Sequence, residues 1–304
     1  MRSHQQFCAV ESVNSGDPLA GTGTHPERNL LISWPRRKWA RSLRIATDMD
    51  PELQDQVETL AEAGRRVNLI HRQGAPEHIH RLYLFPENLC FDIKREALPE
   101  FLETLSANRS LDSWAPVRPS SNLFLCCTHG KKDKCCAKFG YATYRALVRE
   151  AEHTASDADI WESSHLGGCR LAASVIVFPA LRKYGRISQD DVGPLLKHEA
   201  AGRPYLPCYR GSSRLTPVQQ CAETAALKWL EEQELAATLV IDPSVNNQDG
   251  SVDIPVRWHH QNEDEGTLEV RCEPREIYRA DTCADLDEGA TASECWFATR
   301  LTAR

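Results

Sequence analysis

The chain has 304 residues, enough for one large domain or two ordinary ones whose cores need no covalent staples. With 41% hydrophobic and 26% charged residues and a formal net charge of -7, its composition is that of a soluble globular protein, without the basic surplus a broad grip on nucleic acid requires. No apolar run approaches the roughly 18 residues of a membrane span, so neither nucleic acid nor a membrane is an expected partner.

The segment from Met1 to Asn14 carries no apolar stretch of secretory type, and the cytoplasmic compartment is the default expectation. There, twelve cysteines read as thiols, metal ligands or catalytic groups, not disulfides. Cys8, Cys90, Cys208 and Cys221 read as small buried hydrophobes.

In chain order, residues 1–27 are rich in Gly, Ser, Thr and Pro and read as an extended lead-in. Leu30 to Trp34 reads as a strand. Asp50 and Pro51 open a helix with Leu53, Val57 and Leu60 on one stripe, closed by Gly64. Arg66–Arg72, His80–Phe85 and Leu89–Ile93 read as strands and Leu98–Ser106 as a helix, which makes 28–118 an N-terminal α/β domain. Ser113 to Asn122 reads as a linker.

A second unit, 119–235, opens with a strand at Leu123. A helix follows from about Ala137 to Thr154, then a strand near Asp157–Trp161, a β-branched run from Ser174 to Phe178 and a tight turn at Tyr184–Arg186. Ser188 with Asp191 predicts a capped helix to about Ala200. That order resembles a thioredoxin-like βαβ followed by ββα. After a loop over Tyr205–Arg214, Thr216 and Gln219 form a second capping signal, for a helix with Val218, Ala222, Ala225, Ala226 and Trp229 on one stripe. The remainder, 236–304, shows short alternating runs around Leu239, Val252, Leu268 and Trp296, and reads as a small β-rich C-terminal extension. Neither a repeat nor a coiled coil is visible.

The chemistry concentrates in two loops of the second unit. Cys127 and Cys136 are separated by eight residues, and His165 and Cys169 by three, with Gly167 and Gly168 between the latter pair. A 2Fe-2S cluster needs two protein donors per iron, thiolate or neutral imidazole, and the glycines leave room for a bulky inorganic core. Spacing alone does not separate iron-sulfur from zinc or from plain buried thiols. Structural zinc sites usually present closer Cys knuckles.

The residues from Cys127 through Thr128, His129, Gly130, Lys131, Lys132, Asp133 and Lys134 to Cys135 and Cys136, together with Trp161 to Cys169 and Tyr184-Gly185-Arg186, resemble the sucrase/ferredoxin-like proteins. The second half of those proteins is similar to thioredoxin-like 2Fe-2S ferredoxins. The resemblance implies a thioredoxin-like ferredoxin domain over 119–235 and one 2Fe-2S cluster. Its ligands would be Cys127 and Cys136 as one pair, and His165 with residue 169 as the other. The family pattern has His at 169, so Cys169 implies three Cys and one His. It also implies one-electron transfer with a redox partner protein.

Two readings from other classes stand beside this one. In a thiol enzyme, Cys136 or Cys169 would be the nucleophile with His165 or His129 as base; a zinc-stabilised interaction module is the other. His129 reads as a loop histidine that hydrogen bonds, and Lys131, Lys132, Lys134 and Lys138 as a local basic patch. Arg170 and Arg186 read as surface pairing or as neutralising cluster charge. His259, His260, Cys272, Cys283 and Cys295 fit no ligand spacing. No phosphate loop, G-x-S-x-G elbow, H-E-x-x-H or C-x-x-C is present.

Overall fold

In the computed structural model, which describes residues 6–260 and 264–304, nine strands drawn from both expected α/β units form one sheet. Helix α1 (Cys8–Asn14) precedes strand β1 (Asn29–Ser33). Helix α2 (Pro51–Glu62) carries Pro51 in its first turn. Gly64, at φ 83°, then turns the chain back so that β2 (Arg66–His71) pairs parallel with β1. Strands β3 (Ile79–Phe85) and β4 (Leu89–Lys94) and helix α3 (Leu98–Ser106) complete a half-sheet of order β4-β3-β1-β2.

The second half has the same plan. Strand β5 (Leu123–Cys127), helix α4 (Tyr141–His153), strands β6 (Asp159–Ser163), β7 (Val175–Phe178) and β8 (Arg182–Tyr184) and helix α5 (Val192–Ala200) follow in turn. Their order, β6-β5-β7-β8 with β5 and β6 parallel, is the βαβ-then-ββα arrangement expected for this unit. The first half has the matching order and the matching parallel pair, so the topology repeats although no sequence period announces it. The halves join where β2 and β6 pair antiparallel, Ile70 with Ser163 and His71 with Glu162. Strand β9 (Tyr209–Ser212) extends the far edge, in a segment expected to be loop.

All five residues of β1 and of β5 are buried, as central strands covered on both faces must be. The period-2 alternation of a strand divides them. Phe124 and Cys126 of β5 pack toward α4 and α5 with Leu147 and Leu195. Leu125 and Cys127 face the other way, into a core that crosses the β2–β6 seam to reach Leu31, Ile70 and Tyr83.

Helix α6 (Pro217–Glu232) opens on the expected box, with Thr216 and Gln219 capping reciprocally. Against it packs a separate antiparallel sheet of β10 (Ala237–Ile241), β11 (Val245–Asn246), β12 (Val252–His260), β13 (Glu265–Arg279) and β14 (Thr291–Ala303). Ala222 and Ala226 meet Ile254, Val256, Leu268 and Val270 there. At 15 and 13 residues, β13 and β14 are much longer than the small strands expected. No helix among the described residues is long and apolar enough to cross a membrane.

Three further expectations are corrected. The turn placed at Tyr184–Arg186 lies earlier, between β7 and β8, and Tyr184 ends a strand. Ser188 does hydrogen bond Asp191, but α5 begins only at Val192, because that contact closes the turn before the helix. Residues 1–5 of the expected extended lead-in lie outside the described residues. Of the rest, Cys8–Asn14 is helical and Phe7, Cys8, Ser12, Asp17 and His25 are buried.

The physical reason lies in Asp17, whose carboxylate has no solvent exposure. It accepts from Arg170 Nε at 2.7 Å, Arg279 Nη1 at 2.8 Å and Ser12 Oγ at 2.8 Å, while Arg186 donates to the Asp17 carbonyl and to Ser12. Arg170 and Arg186 therefore serve this network, and Arg170 also pairs at 3.1 Å with the exposed Asp281. Removing one partner of a buried charge network costs about 3–5 kcal/mol because the other charges stay desolvated. Asp17→Ala should lower unfolding free energy by that order in chemical denaturation; a loss under about 1 kcal/mol would deny the network its structural role.

Candidate functional site

The two loops carrying the candidate donors leave the same end of two neighbouring parallel strands, β5 and β6, which are in register from Leu123–Asp159 to Cys127–Ser163. Crevices at the carboxyl ends of parallel strands are where open α/β sheets hold ligands. Cys127 is the last residue of β5. His165 and Cys169 follow β6, and Cys136 begins a π-helical turn, Cys136–Gly140, that leads into α4. The expected helix thus starts with a wider turn, of a kind frequent at functional sites. Gly140 permits it: a Cβ there would lie 1.9 Å from the carbonyl oxygen of Cys127.

All four residues named from the sequence come together. Cys127 Sγ lies 3.4 Å from Cys136 Sγ, and Cys169 Sγ lies 3.5 Å from His165 Nδ1. The two pairs approach through Cys136 and Cys169, whose sulfurs are 3.9 Å apart. Donor atoms of Cys127, Cys136 and His165 all lie within 4.8 Å of one another. The three thiols are 2–3% exposed, and His165 is half-buried. Gly167 and Gly168, at φ 85° and 76°, carry the chain through the left-handed turn between His165 and Cys169. Cys126 and Cys135 point away, the former toward the Gly140 carbonyl and the latter toward other thiols.

Backbone contacts hold the His165 loop. His129 Nδ1 accepts from the His165 amide at 3.2 Å while its Nε2 donates to the Ala40 carbonyl at 2.7 Å, so each ring nitrogen has one role and the ring is neutral. Burial lowers its pKa further. From β2, Arg66 Nη2 and Asn68 Nδ2 donate to the His165 carbonyl at 2.6 and 3.1 Å. Ser164 is fixed by Asn68, the Leu69 amide and the Leu43 carbonyl. The first half of the sheet thus positions a donor of the second.

Three cations lie near the sulfurs, Lys183 and Arg210 buried and Arg66 half-buried, and among the described residues none of them forms an ion pair with a carboxylate. Arg66 donates as above; Lys183 Nζ donates to the carbonyls of Thr24 and Leu166, both at 3.1 Å; Arg210 donates to Thr22 and Ser174 and packs against Gly168. Burial lowers the pKa of each, Arg66 to about 10 and Arg210 to about 9, while the sulfurs of Cys127 and Cys169 pull in the opposite sense. The reading of the sequence missed all three. Nothing in their neighbourhoods marks them, because Lys183 sits within β8 and Arg210 within an edge strand.

The same charge logic acts on the donors. The sulfur–sulfur hydrogen bond to Cys136 and the His165 ring outweigh burial and hold Cys127 well below the ordinary thiol range, while Cys136 is raised by its bonds to Cys127 and Cys169. Burial alone would lower His165; its hydrogen bonds to Cys127 and Cys169 overcome that and raise it to about 9. Without metal the site is an imidazolium facing thiolate, and a metal would displace those protons. Three thiols and one imidazole, dry and ringed by cations, are a donor set for a soft or borderline metal.

Comparison with known proteins gives a family and a structural likeness. The sequence model of a family described as "Sucrase/ferredoxin-like" matches residues 19–211. A thioredoxin-like 2Fe-2S ferredoxin from Aquifex aeolicus is similar at 16% identity and a TM-score of 0.27, over 30% of this chain and 91% of that chain. Another structure of that wild-type ferredoxin has the same identity and TM-score over 30% and 97%. A cysteine-to-serine variant has 16% and 0.27 over 29% and 96%. No curated protein matches the chain.

Stability linked to His165 follows from its raised pKa: the contribution is complete below about 6.5 and is lost as pH rises through about 9. In the metal-free chain, NMR titration should find His165 still protonated at about pH 8. Cys127→Ser should return it to or below the ordinary imidazole value, since burial then acts with one thiolate fewer against it. A wild-type pKa near 6 would contradict this account.

Proposed function

The chain belongs to the sucrase/ferredoxin-like family, and from that membership and the thiol–imidazole site we propose that it is a one-electron carrier. It would hold a single 2Fe-2S cluster through Cys127, Cys136, His165 and Cys169. The observation that carries this reading is the convergence of four soft donors from two loops, with Cys127 Sγ 3.4 Å from Cys136 Sγ and Cys169 Sγ 3.5 Å from His165 Nδ1, the number of protein donors a two-iron cluster needs. When bound, the cluster supplies one-electron redox chemistry at a potential the protein sets.

The residues of the chain supply the rest. Cys127 offers its thiolate, His165 must give up its proton to ligate, and Arg66, Lys183 and Arg210 offset the negative charge of a thiolate-bound centre without becoming ligands. The apolar core keeps water from the sulfurs. Lys131, Lys132 and Lys138, exposed on and beside the loop between the ligand cysteines, offer a face for an acidic redox partner protein. Lys131 is held there by the Trp39 carbonyl and Lys138 by the Phe7 ring. A nucleophilic role for Cys136 or Cys169 is disfavoured because both are only 2% exposed.

One observation favours the zinc reading instead. Donor atoms of Cys127, Cys136 and His165 lie within 4.8 Å of one another, a grouping that three donors of a single zinc ion can share. An anaerobic spectrum with iron and sulfide analysis decides between them. The proposal expects brown protein bleached by dithionite, with two irons and two sulfides per chain; colourless protein with one zinc on these residues would overturn it.

One imidazole in place of a thiolate removes a negative charge from the oxidised centre. The potential should therefore fall between those of all-thiolate plant-type centres, about -400 mV, and two-His Rieske centres, from about -150 mV upward. Because reduction makes the half-buried imidazole more basic, the potential should fall as pH rises between about 6 and 9, and a flat profile would remove His165 from the proton balance. Arg66→Met, which removes a half-buried positive charge near the centre, should make the potential more negative by tens of mV, on the order of the 59 mV that equals a tenfold change for one electron.

A further inference from the structure

Away from these four donors, three cysteines from distant parts of the chain meet. The sulfurs of Cys8, Cys135 and Cys283 form a triangle with edges of 3.5 Å (Cys8–Cys135), 3.2 Å (Cys135–Cys283) and 3.5 Å (Cys283–Cys8). The Asp133 carboxylate joins them, so that one donor atom from each of the four residues lies within 4.8 Å of the others. Cys8 and Cys135 have no solvent exposure, Asp133 is 5% exposed and Cys283 is half-buried. We infer that these four residues form a second metal site, a structural zinc site of three thiolates and one carboxylate.

Geometry selects the metal. Around a tetrahedral zinc with Zn–S near 2.3 Å, two sulfurs stand about 3.7 to 3.8 Å apart; the two 3.5 Å edges are within about 0.3 Å of that, and the 3.2 Å edge between Cys135 and Cys283 has to open by about 0.5 Å. A two-iron cluster needs its donors sorted into two pairs, whereas here three sulfurs are equivalent corners of one triangle. A disulfide would draw two sulfurs to about 2.05 Å and leave the third, buried, without its partners. The amides of Ala9 and Cys8 donate to the sulfurs of Cys135 and Cys283. The Asp133 oxygens accept from the amides of Cys135 and Cys283 at 2.7 and 2.8 Å, which fixes the carboxylate's orientation as outer hydrogen bonds do for metal ligands. The half-exposed corner at Cys283 gives the ion an entry path.

Cys8 is buried in the apolar core as its reading expected, and this assignment adds a ligand role to it and to Cys283, whose spacing fits no ligand pattern. The donors escaped spacing rules because 127 and 148 residues separate Cys8 and Cys283 from Cys135. The zinc ties α1 and the segment between β13 and β14 to the residue next to Cys136. It stands whether or not the cluster proposal does.

The test uses the full chain, purified anaerobically with zinc supplied. Metal analysis should find one zinc per chain that survives in Cys127→Ser, and X-ray absorption at the zinc edge of that variant should show three sulfurs near 2.3 Å and one oxygen near 2.0 to 2.2 Å. Cys8→Ser and Cys283→Ser should each lose that zinc with far-UV circular dichroism unchanged and leave metal at Cys127 and Cys136 in place; Cys127→Ser should keep it. Should Cys8→Ser not fold, Cys283→His replaces one donor by another and should retain the zinc with two sulfurs in the shell. Absence of zinc from the wild type, zinc undiminished in Cys283→Ser, loss of zinc in folded Cys283→His, or a disulfide among the three thiols in the anaerobic protein would each overturn the assignment.

Discussion

The parallel pairing of β5 and β6 is the constraint from which the site follows. Parallel neighbours must be joined by a crossover, here α4, and such a connection brings both strands to the same end of the sheet. Two loops that are 29 residues apart from Cys136 to His165 then open side by side. Neither loop could complete a four-donor set alone. The ladder between the strands, ending at Cys127–Ser163, sets the distance across which the donors face each other. Further contacts refine that placement: the His129 ring clips one loop to the other, and Arg66 and Asn68 hold the far side from across the β2–β6 seam.

Electrostatics explains features that packing does not. Burying a lysine and an arginine without carboxylates is expensive in isolation, and Lys183 is 1% exposed, with only carbonyls as partners. The arrangement makes sense once the neighbouring sulfurs are counted as anions. Cations and thiolates lower each other's free energy in a medium where neither is well solvated. The same reasoning separates these cations from Arg170 and Arg279, which have their own counter-charge in Asp17.

Much of this architecture was legible from local signals. The Asp50–Pro51 start, the Thr216–Gln219 box and the run Arg66–Arg72 each correspond to an element found, because proline at a first turn, a reciprocal cap and an apolar run are written within a few residues, although Asp50 makes no side-chain cap and β2 is buried on both faces instead of alternating. The two donor loops were legible for the same reason, with Cys, His and Gly at short spacing. What stayed hidden depends on long-range pairing. The seam between β2 and β6 rests on two residue pairs 91 and 93 positions apart, and the duplicate plan of the two halves lies in strand order, not in residue identity. Cys8 looked like filler for a core, and nothing around it indicates the company it keeps. Tyr184 and Arg210 were assigned to turn and loop because edge strands of three and four residues carry too little alternation to read.

Asp17 has one consequence for how the molecule is made. Its carboxylate is shared by Arg170, which follows Cys169 directly, and by Arg279 near the end of β13. During vectorial synthesis an early half can begin to fold as soon as it emerges, but the stretch beyond Cys169 lacks one of its anchors until residue 279 has left the ribosome. The sulfur-bearing crevice is therefore among the last parts of the chain to be finished, although most of its walls are translated far earlier.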